Sequence, residues 1–173
     1  MSKLPVSIIA ACSLNRVIGR KGKLPWSLPC DWAFFVTATH EQVLLMGRKS
    51  FEEFGVPIPN RKTIVISPSQ AQNPPSSWRN VQVARSLDHA VELANRDPQY
   101  AHCKRIFVGG GQRIYEEALA KDLVESCFIS RVHQHIGDGD VFLPQWTHQF
   151  PTLSFCKTTK SKTANVSFQV WTK

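Results

Sequence analysis

Short apolar runs of strand length recur along the first two thirds of the chain, separated by polar and turn-prone segments. They occupy residues 6–12, 42–46, 63–66, 81–84 and 106–108, and each is bounded by proline, glycine, asparagine, serine or charged residues. Aliphatic runs without polar alternation are typical of strands that are buried on both faces. The pattern therefore predicts five buried strands of one sheet.

Helical patterns lie between these runs. Ser86 has the side chain of an N-cap residue, and apolar residues follow it at helical spacing: Leu87, Ala90, Val91 and Ala94. Further helices are predicted to begin at Pro29, after Gly47 and after the triple glycine 109–111. Strands that alternate with helices require right-handed parallel crossovers, which place helices on both faces of the sheet.

The C-terminal part of the chain has a different pattern. Residues 124–132 and 165–171 resemble strands, with no helix between them. Two such strands predict antiparallel pairing at one edge of the sheet. We therefore expect a single α/β domain over residues 1–173, with a mostly parallel sheet and an antiparallel C-terminal edge.

Three loops follow predicted strands and should converge at the carboxyl ends of a parallel sheet, where ligands bind. The loop 15–29 is long, rich in glycine and proline, and predicted to be an irregular lid. Residues 47–50 place two bases at a helix start, which indicates an anion site; the triple glycine 109–111 suits a pyrophosphate, although a simple tight turn explains it equally well.

One carboxylate, Asp31, is enclosed by apolar residues in the segment 24–35. Apolar neighbours raise a carboxyl pKa, and a ligand with cationic or donor groups would restore the charged form. Asp31 also falls in the first turn of a helix that begins at Pro29, so the simpler interpretation is a helix cap.

Composition narrows the class of protein. Of 173 residues, 42% are hydrophobic and 20% charged, which is typical of a globular domain, and no apolar stretch is long enough to span a membrane. The net charge of +8 would suit nucleic acid or an anionic small molecule such as a phosphorylated cofactor. Charge alone does not distinguish these partners.

Cysteine and histidine positions argue against bound metal and disulfides. The five cysteines are irregularly spaced without a C-x-x-C motif, so we expect reduced and mostly buried thiols. His133 and His135 share a strand face, but no third ligand is evident, so no metal is predicted. The apolar segment near the N-terminus is too short for a signal peptide, which predicts a cytoplasmic protein.

Several motifs in one order make the chain resemble the dihydrofolate reductase family along nearly its whole length. They are I-I-A-A-C-S-L-N-R-V-I-G at 8–19, L-P-W-S-L-P-C-D at 24–31, M-G-R-K-S-F at 46–51, P-I-P-N-R at 57–61, and V-G-G-G at 108–111 with Tyr115. The resemblance implies a central eight-stranded, mostly parallel sheet with an antiparallel C-terminal edge strand and helices on both faces. It also implies NADPH-dependent reduction of 7,8-dihydrofolate to tetrahydrofolate, which supplies one-carbon metabolism and thymidylate and purine synthesis.

The resemblance assigns roles to residues at matching positions. Asp31 would hold the pterin ring and support its protonation, Ser130 would support that acid through its hydroxyl where the family usually has threonine, and Trp26 would lie in the lid. Arg61 would bind the glutamate carboxylate of the substrate. The residues expected to bind substrate are Ile9, Ala10, Leu28, Asp31, Phe35, Phe54, Ile58, Arg61, Val108 and Ser130.

The cofactor half of the site is assigned in the same way. Positive charge near the adenosine end would favour NADPH over NADH. The residues expected to bind cofactor are Ala11, Ile18, Gly19, Gly47, Arg48, Lys49, Ser50, Ser67, Arg85, Val108, Gly109, Gly110, Gly111, Gln112, Arg113 and Tyr115.

The glycine motif departs from the family pattern by one residue between Val108 and Tyr115. The family has a Gly-Gly pair joined by a cis peptide bond. We favour Gly109-Gly110 as that pair, with an insertion in the following helix. In the alternative the pair is Gly110-Gly111, and Gly109 replaces an aliphatic pocket residue.

Two other functions fit parts of the sequence. A reductase of the same fold from riboflavin synthesis would not need Arg61 or the enclosed Asp31. A basic nucleic-acid-binding domain would fit the charge of +8, but exposed patches that mix aromatic and basic residues are not evident. We therefore expect small-molecule partners, namely dihydrofolate and antifolates such as methotrexate or trimethoprim-like compounds, and a monomer that binds neither nucleic acid nor membrane.

Overall fold

Residues 2–173 are described by a computed structural model. Its strands are β1 (Val6–Ser13), β2 (Val17–Gly19), β3 (Val43–Gly47), β4 (Lys62–Ile66), β5 (Val81–Ala84), β6 (Ile106–Val108), β7 (Val124–Val132), β8 (Val141–Phe142), β9 (Thr152–Thr159) and β10 (Val166–Thr172). Its helices are α1 (Pro29–Ala38), α2 (Arg48–Phe54), α3 (Leu87–Arg96) and α4 (Gln112–Ala120), with a 3₁₀ turn at Pro98–Tyr100.

The main sheet has eight strands in the order β5-β4-β3-β6-β1-β7-β10-β9. Neighbouring strands from β5 to β7 are parallel, and β10 is antiparallel to both β7 and β9. The fold class predicted from the sequence is thereby confirmed. The β1 strand lies between β6 and β7, so the loops after β1 and β6 leave the sheet side by side.

Alternating side chains of the parallel strands form two cores, one on each face of the sheet. Ile8, Leu45 and Ile64 belong to one buried cluster, whereas Leu44 and Val65 belong to the other. Helix α3 covers the first face with Leu87, Ala90 and Ala94, and Ser86 caps it by accepting a 3.1 Å hydrogen bond from the His89 amide. The N-cap predicted at Ser86 is confirmed.

Three strands were not predicted. β2 lies inside the loop 15–29, which we expected to be irregular, and pairs with β8 in a separate two-stranded sheet. β9 forms the edge of the main sheet, so β10 is an interior strand rather than the edge itself. The side chains of β9 are exposed along nearly its whole length, and an exposed strand leaves no apolar alternation in the sequence.

The five cysteines are free thiols, as predicted from their spacing. Cys12, Cys103 and Cys127 are buried, Cys30 is half-buried and Cys156 is exposed. Within residues 2–173, every helix is too short or too polar to cross a lipid bilayer.

Candidate active site

A cavity of about 850 Å³ opens beside the carboxyl ends of β1 and β6, between helices α1 and α2. All three loops predicted to converge contribute residues to it. Its lining includes these predicted site residues: Ile9, Ala10, Ala11, Ile18, Trp26, Leu28, Asp31, Phe35, Ser50, Phe54, Gly109, Gly110, Gly111, Tyr115 and Ser130.

Asp31 lies in the first turn of α1 and lines the cavity. The helix begins with Pro29, and its N-cap residue, Leu28, makes no side-chain capping hydrogen bond. Burial raises the pKa of the Asp31 carboxyl above its ordinary value of 3.8, as the sequence predicted. A carboxyl in this environment keeps its proton to a higher pH than a free aspartate does.

Two polar neighbours favour the charged form of Asp31 and so lower its pKa against the effect of burial. One is Ser130, which is 2% exposed on β7 and lies next to Ala11 of β1 in the sheet register. The other is Trp26. Its indole Nε1 is buried and lacks a hydrogen-bond partner of normal geometry among residues 2–173, so it is a donor facing the acid without a fixed acceptor.

The walls beyond Asp31 are apolar and aromatic. Trp32 stacks on Phe35 with ring centroids 5.6 Å apart, and it also contacts Phe54 of α2 at 6.0 Å. Such walls suit a planar aromatic ligand. Three predicted substrate residues do not line the cavity: Ile58, Arg61 and Val108. Ile58 is half-buried and packs on the core cluster of Leu44 and Val65, and Val108 is fully buried in the opposite cluster.

Arg61 also lies outside the cavity lining, and it is only 8% exposed. Its guanidinium donates from Nε to Thr39 Oγ1 at 2.9 Å, from Nη2 to the Val36 carbonyl at 2.9 Å, and from Nη1 to the Pro59 carbonyl. These contacts fix the side chain against the end of α1. Since a guanidinium has five N–H groups, one remains on each terminal nitrogen.

The glycine loop adopts the second of the two registers considered. The cis peptide bond joins Gly110 and Gly111, so the pairing that we favoured, Gly109-Gly110, is wrong. Gly110 has φ +122°, and its carbonyl accepts a 2.7 Å hydrogen bond from the Gly47 amide. α4 then begins at Gln112 without an insertion, and Gly109 occupies the position of the family's aliphatic residue.

The loop forms a cradle in which side chains would be crowded. A Cβ added at Gly110 or Gly111 would come within 3.3 or 3.1 Å of Ser50 Oγ. Tyr115 lies beneath the loop, where its hydroxyl donates a 2.8 Å hydrogen bond to the Ile9 carbonyl. A glycine backbone that lines the cavity at a helix N-terminus suits the close approach of a pyrophosphate.

The remaining predicted cofactor residues lie outside the cavity lining, at the carboxyl ends of the strands that flank it. Arg48 and Lys49 begin α2 after β3, Arg85 follows β5, and Arg113 lies in the first turn of α4. The other predicted cofactor residues outside the lining are Gly19, Gly47, Ser67 and Gln112. Because β5, β4, β3 and β6 are neighbours in the sheet, the bases form a positively charged border along one side of the cavity.

Several lining residues received no role from the sequence, among them Glu53, Phe34 and Met46. Glu53 could have been found from helical spacing, because Ser50, Glu53 and Phe54 fall on one face of α2. For Phe34 no such signal exists, since apolar residues occupy all sides of α1.

Comparison with known proteins identifies the family. The family model described as dihydrofolate reductase matches residues 5–173. Dihydrofolate reductase type A13 of Escherichia coli is 36% identical over 140 residues, which cover 80% of this chain and 77% of that protein. Dihydrofolate reductase of Bacillus subtilis is 32% identical over 141 residues, with 82% and 76% covered. The chain therefore belongs to the dihydrofolate reductase family.

Proposed function

We propose that this enzyme reduces 7,8-dihydrofolate to 5,6,7,8-tetrahydrofolate with NADPH. Family membership supports dihydrofolate as substrate and a nicotinamide cofactor. The observation that carries the proposal within the chain is Asp31, the acid whose pKa is raised by burial at the inner end of an aromatic cavity. An acid there meets the amino group and ring nitrogen of a pterin.

Asp31 would orient the pterin and keep a proton available next to the ring nitrogen that must be protonated. Ser130 and Trp26 favour the charged form of this carboxylate, and Leu28 and Phe35 would keep water away from the ring. The residues of the cofactor half of the cavity would hold a nicotinamide, whose chemistry would be the supply of a hydride to the pterin imine carbon. The protein contributes the relative placement of the two rings, which is the larger part of its task.

The glycine cradle and the basic border support NADPH as the cofactor. The backbone of Gly110 and Gly111, which lines the cavity together with Ser50, would bind a pyrophosphate, and Ala11 and Ile18 line the part of the cavity nearest to β1. Arg48, Lys49 and Arg85 would bind the additional phosphate that distinguishes NADPH from NADH.

Arg61 would bind the glutamate tail of the substrate. Three of its N–H groups are already engaged, and the one that remains on each terminal nitrogen would be available to bind a carboxylate. Asp31, the aromatic walls of the cavity and Arg61 would bind antifolates as well. We further propose that the net charge of +8 serves these anionic ligands rather than nucleic acid, and that the enzyme acts as a cytoplasmic monomer in one-carbon metabolism and in thymidylate and purine synthesis.

The deciding experiment is the loss of NADPH absorbance on addition of dihydrofolate, with and without methotrexate. Turnover that methotrexate abolishes is the expected result. Turnover of a pyrimidine intermediate of riboflavin synthesis without turnover of dihydrofolate would refute the proposal.

A further inference from the structure

Aromatic rings from two helices frame the mouth of the cavity. Trp32 of α1 is 48% exposed and Phe54 of α2 is 40% exposed, although both line the cavity and their ring centroids are 6.0 Å apart. Asp31 lies at the inner end, beside the 2% exposed Ser130. A ligand whose ring meets Asp31 and whose tail extends towards α2 would pass this aromatic pair.

Glu53 carries the second carboxylate of the cavity lining, one residue before Phe54. Among residues 2–173, no lysine, arginine or histidine lies within 4.0 Å of it, whereas its neighbour Glu52 pairs with Arg48 at 3.7 Å and does not line the cavity. Although Glu53 is exposed, partial desolvation of its carboxyl raises its pKa above the ordinary value.

We propose that Glu53 is a specificity-determining residue that disfavours ligands with additional carboxylates on the part that leaves the cavity. This inference rests on the proposed function. Glu53 is solvent-exposed, so its repulsion reaches about one Debye length, roughly 8 Å at physiological salt, and acts on ligand carboxylates within that distance. Arg61 attracts the first tail carboxylate from the α1 side, and Glu53 limits how much negative charge the mouth accepts from the α2 side.

A matched pair of ligands tests this selectivity. One is methotrexate, and the other is the corresponding neutral benzamide, which lacks the glutamate. In Glu53→Gln we expect methotrexate to bind about threefold to tenfold more tightly, with no change for the benzamide, because only methotrexate carries the repelled charge. The gain should shrink in about 1 M salt, where the Debye length falls to about 3 Å.

Glu52→Gln is the control variant, since it removes the same charge from the adjacent position outside the cavity. Glu52→Gln releases Arg48 from its ion pair, and Arg48 is a proposed cofactor residue, so affinities are measured without cofactor. In this control, the ratio of the affinities for methotrexate and the benzamide should equal that of the unmodified protein. Glu53→Ser provides a second variant with the same expected direction.

The outcomes separate this inference from the proposed function. If the unmodified protein binds both ligands and oxidises NADPH with dihydrofolate, but Glu53→Gln and Glu53→Ser leave the affinity ratio unchanged, the role of Glu53 is refuted and the proposed function stands. If the unmodified protein neither binds methotrexate nor reduces dihydrofolate, the proposed function fails and this inference fails with it.

Discussion

Replacing Asp31 by asparagine tests the role of the acid while leaving the rest of the site unchanged. The side chain keeps its size and its place in the first turn of α1, where Pro29 and the N-cap Leu28 set the helix start without help from a side-chain cap. The substitution removes the ionisable proton and the charge that would hold the pterin. Fold and NADPH binding should therefore be retained.

The expected kinetic loss follows from the role of a positioned acid. General acid catalysis contributes about 10² to 10⁴ in rate, so turnover of dihydrofolate should fall by on the order of a hundredfold or more, or about 3 kcal/mol in the barrier. Because burial raises the pKa of Asp31, activity of the unmodified enzyme should fall as pH rises through that pKa. The variant should lack this step, and its rate should recover at lower pH, where the substrate is protonated in solution.

Asp31→Asn should lower turnover but raise the stability of the folded protein at neutral pH. The pKa of Asp31 is higher in the folded than in the unfolded state, so its favourable contribution is complete below the unfolded value and is lost as pH rises through the folded value. At neutral pH the charged carboxylate is destabilising, and Asp31→Asn should unfold at a higher temperature than the unmodified enzyme. The difference should narrow towards acid pH.

Steady-state kinetics over a pH series and thermal unfolding at the same pH values measure both effects. Asp122→Asn is a matched control, because Asp122 is outside the cavity and its φ of 52° is one that asparagine tolerates well. Turnover of Asp31→Asn at the unmodified rate, with an unchanged pH profile, would refute the role of the acid. Asp31 would then be a residue of the helix start and nothing more.

Three further predictions concern other parts of the site. Arg61→Leu should weaken the binding of methotrexate by on the order of tenfold or more but leave the binding of trimethoprim-like inhibitors unchanged, as measured by fluorescence titration. Equal losses would mean that Arg61 only supports α1 through its contacts with Thr39 and Val36. Arg48→Ala with Arg85→Ala should raise the Michaelis constant for NADPH but not for NADH, and equal rises would refute phosphate recognition. Gly110→Ala should lower the free energy of unfolding by about 1 kcal/mol or more, because the residue has φ +122° and its Cβ would lie 3.3 Å from Ser50 Oγ; unchanged unfolding would show that the loop adapts.

The fold was predictable wherever burial shaped the sequence. Strands β3 and β6 are fully or almost fully buried, so hydrophobic runs mark them within one residue. The edge strand β9 is solvated on both faces, and its residues carry no such pattern. β2 has three residues and pairs with a partner, β8, that lies more than a hundred residues later in the chain.

The site was predictable where one residue type is needed at one place. Asp31 stands out because a carboxylate is rare in an apolar segment, and the glycine cradle stands out because side chains would be crowded there. The register within 109–111 was not predictable, since three identical residues allow two assignments. The contact of Gly47 with the Gly110 carbonyl, which fixes the register, joins two loops distant in sequence.

Helix α1 shows why the remaining site residues escaped prediction, and what the site requires of the fold. It is largely apolar, yet none of its residues is fully buried. A helix that served only the core would bury this surface, whereas here Trp32 remains 48% exposed at the mouth of the cavity, next to an acid that burial disfavours in its charged form. Both features reduce the stability of the free protein, and both are offset when an aromatic ring with donor groups fills the space between α1 and α2. Exposed rings and a desolvated acid on the same helix therefore point to a ligand that completes the core, which local sequence patterns cannot show because they describe the chain without it.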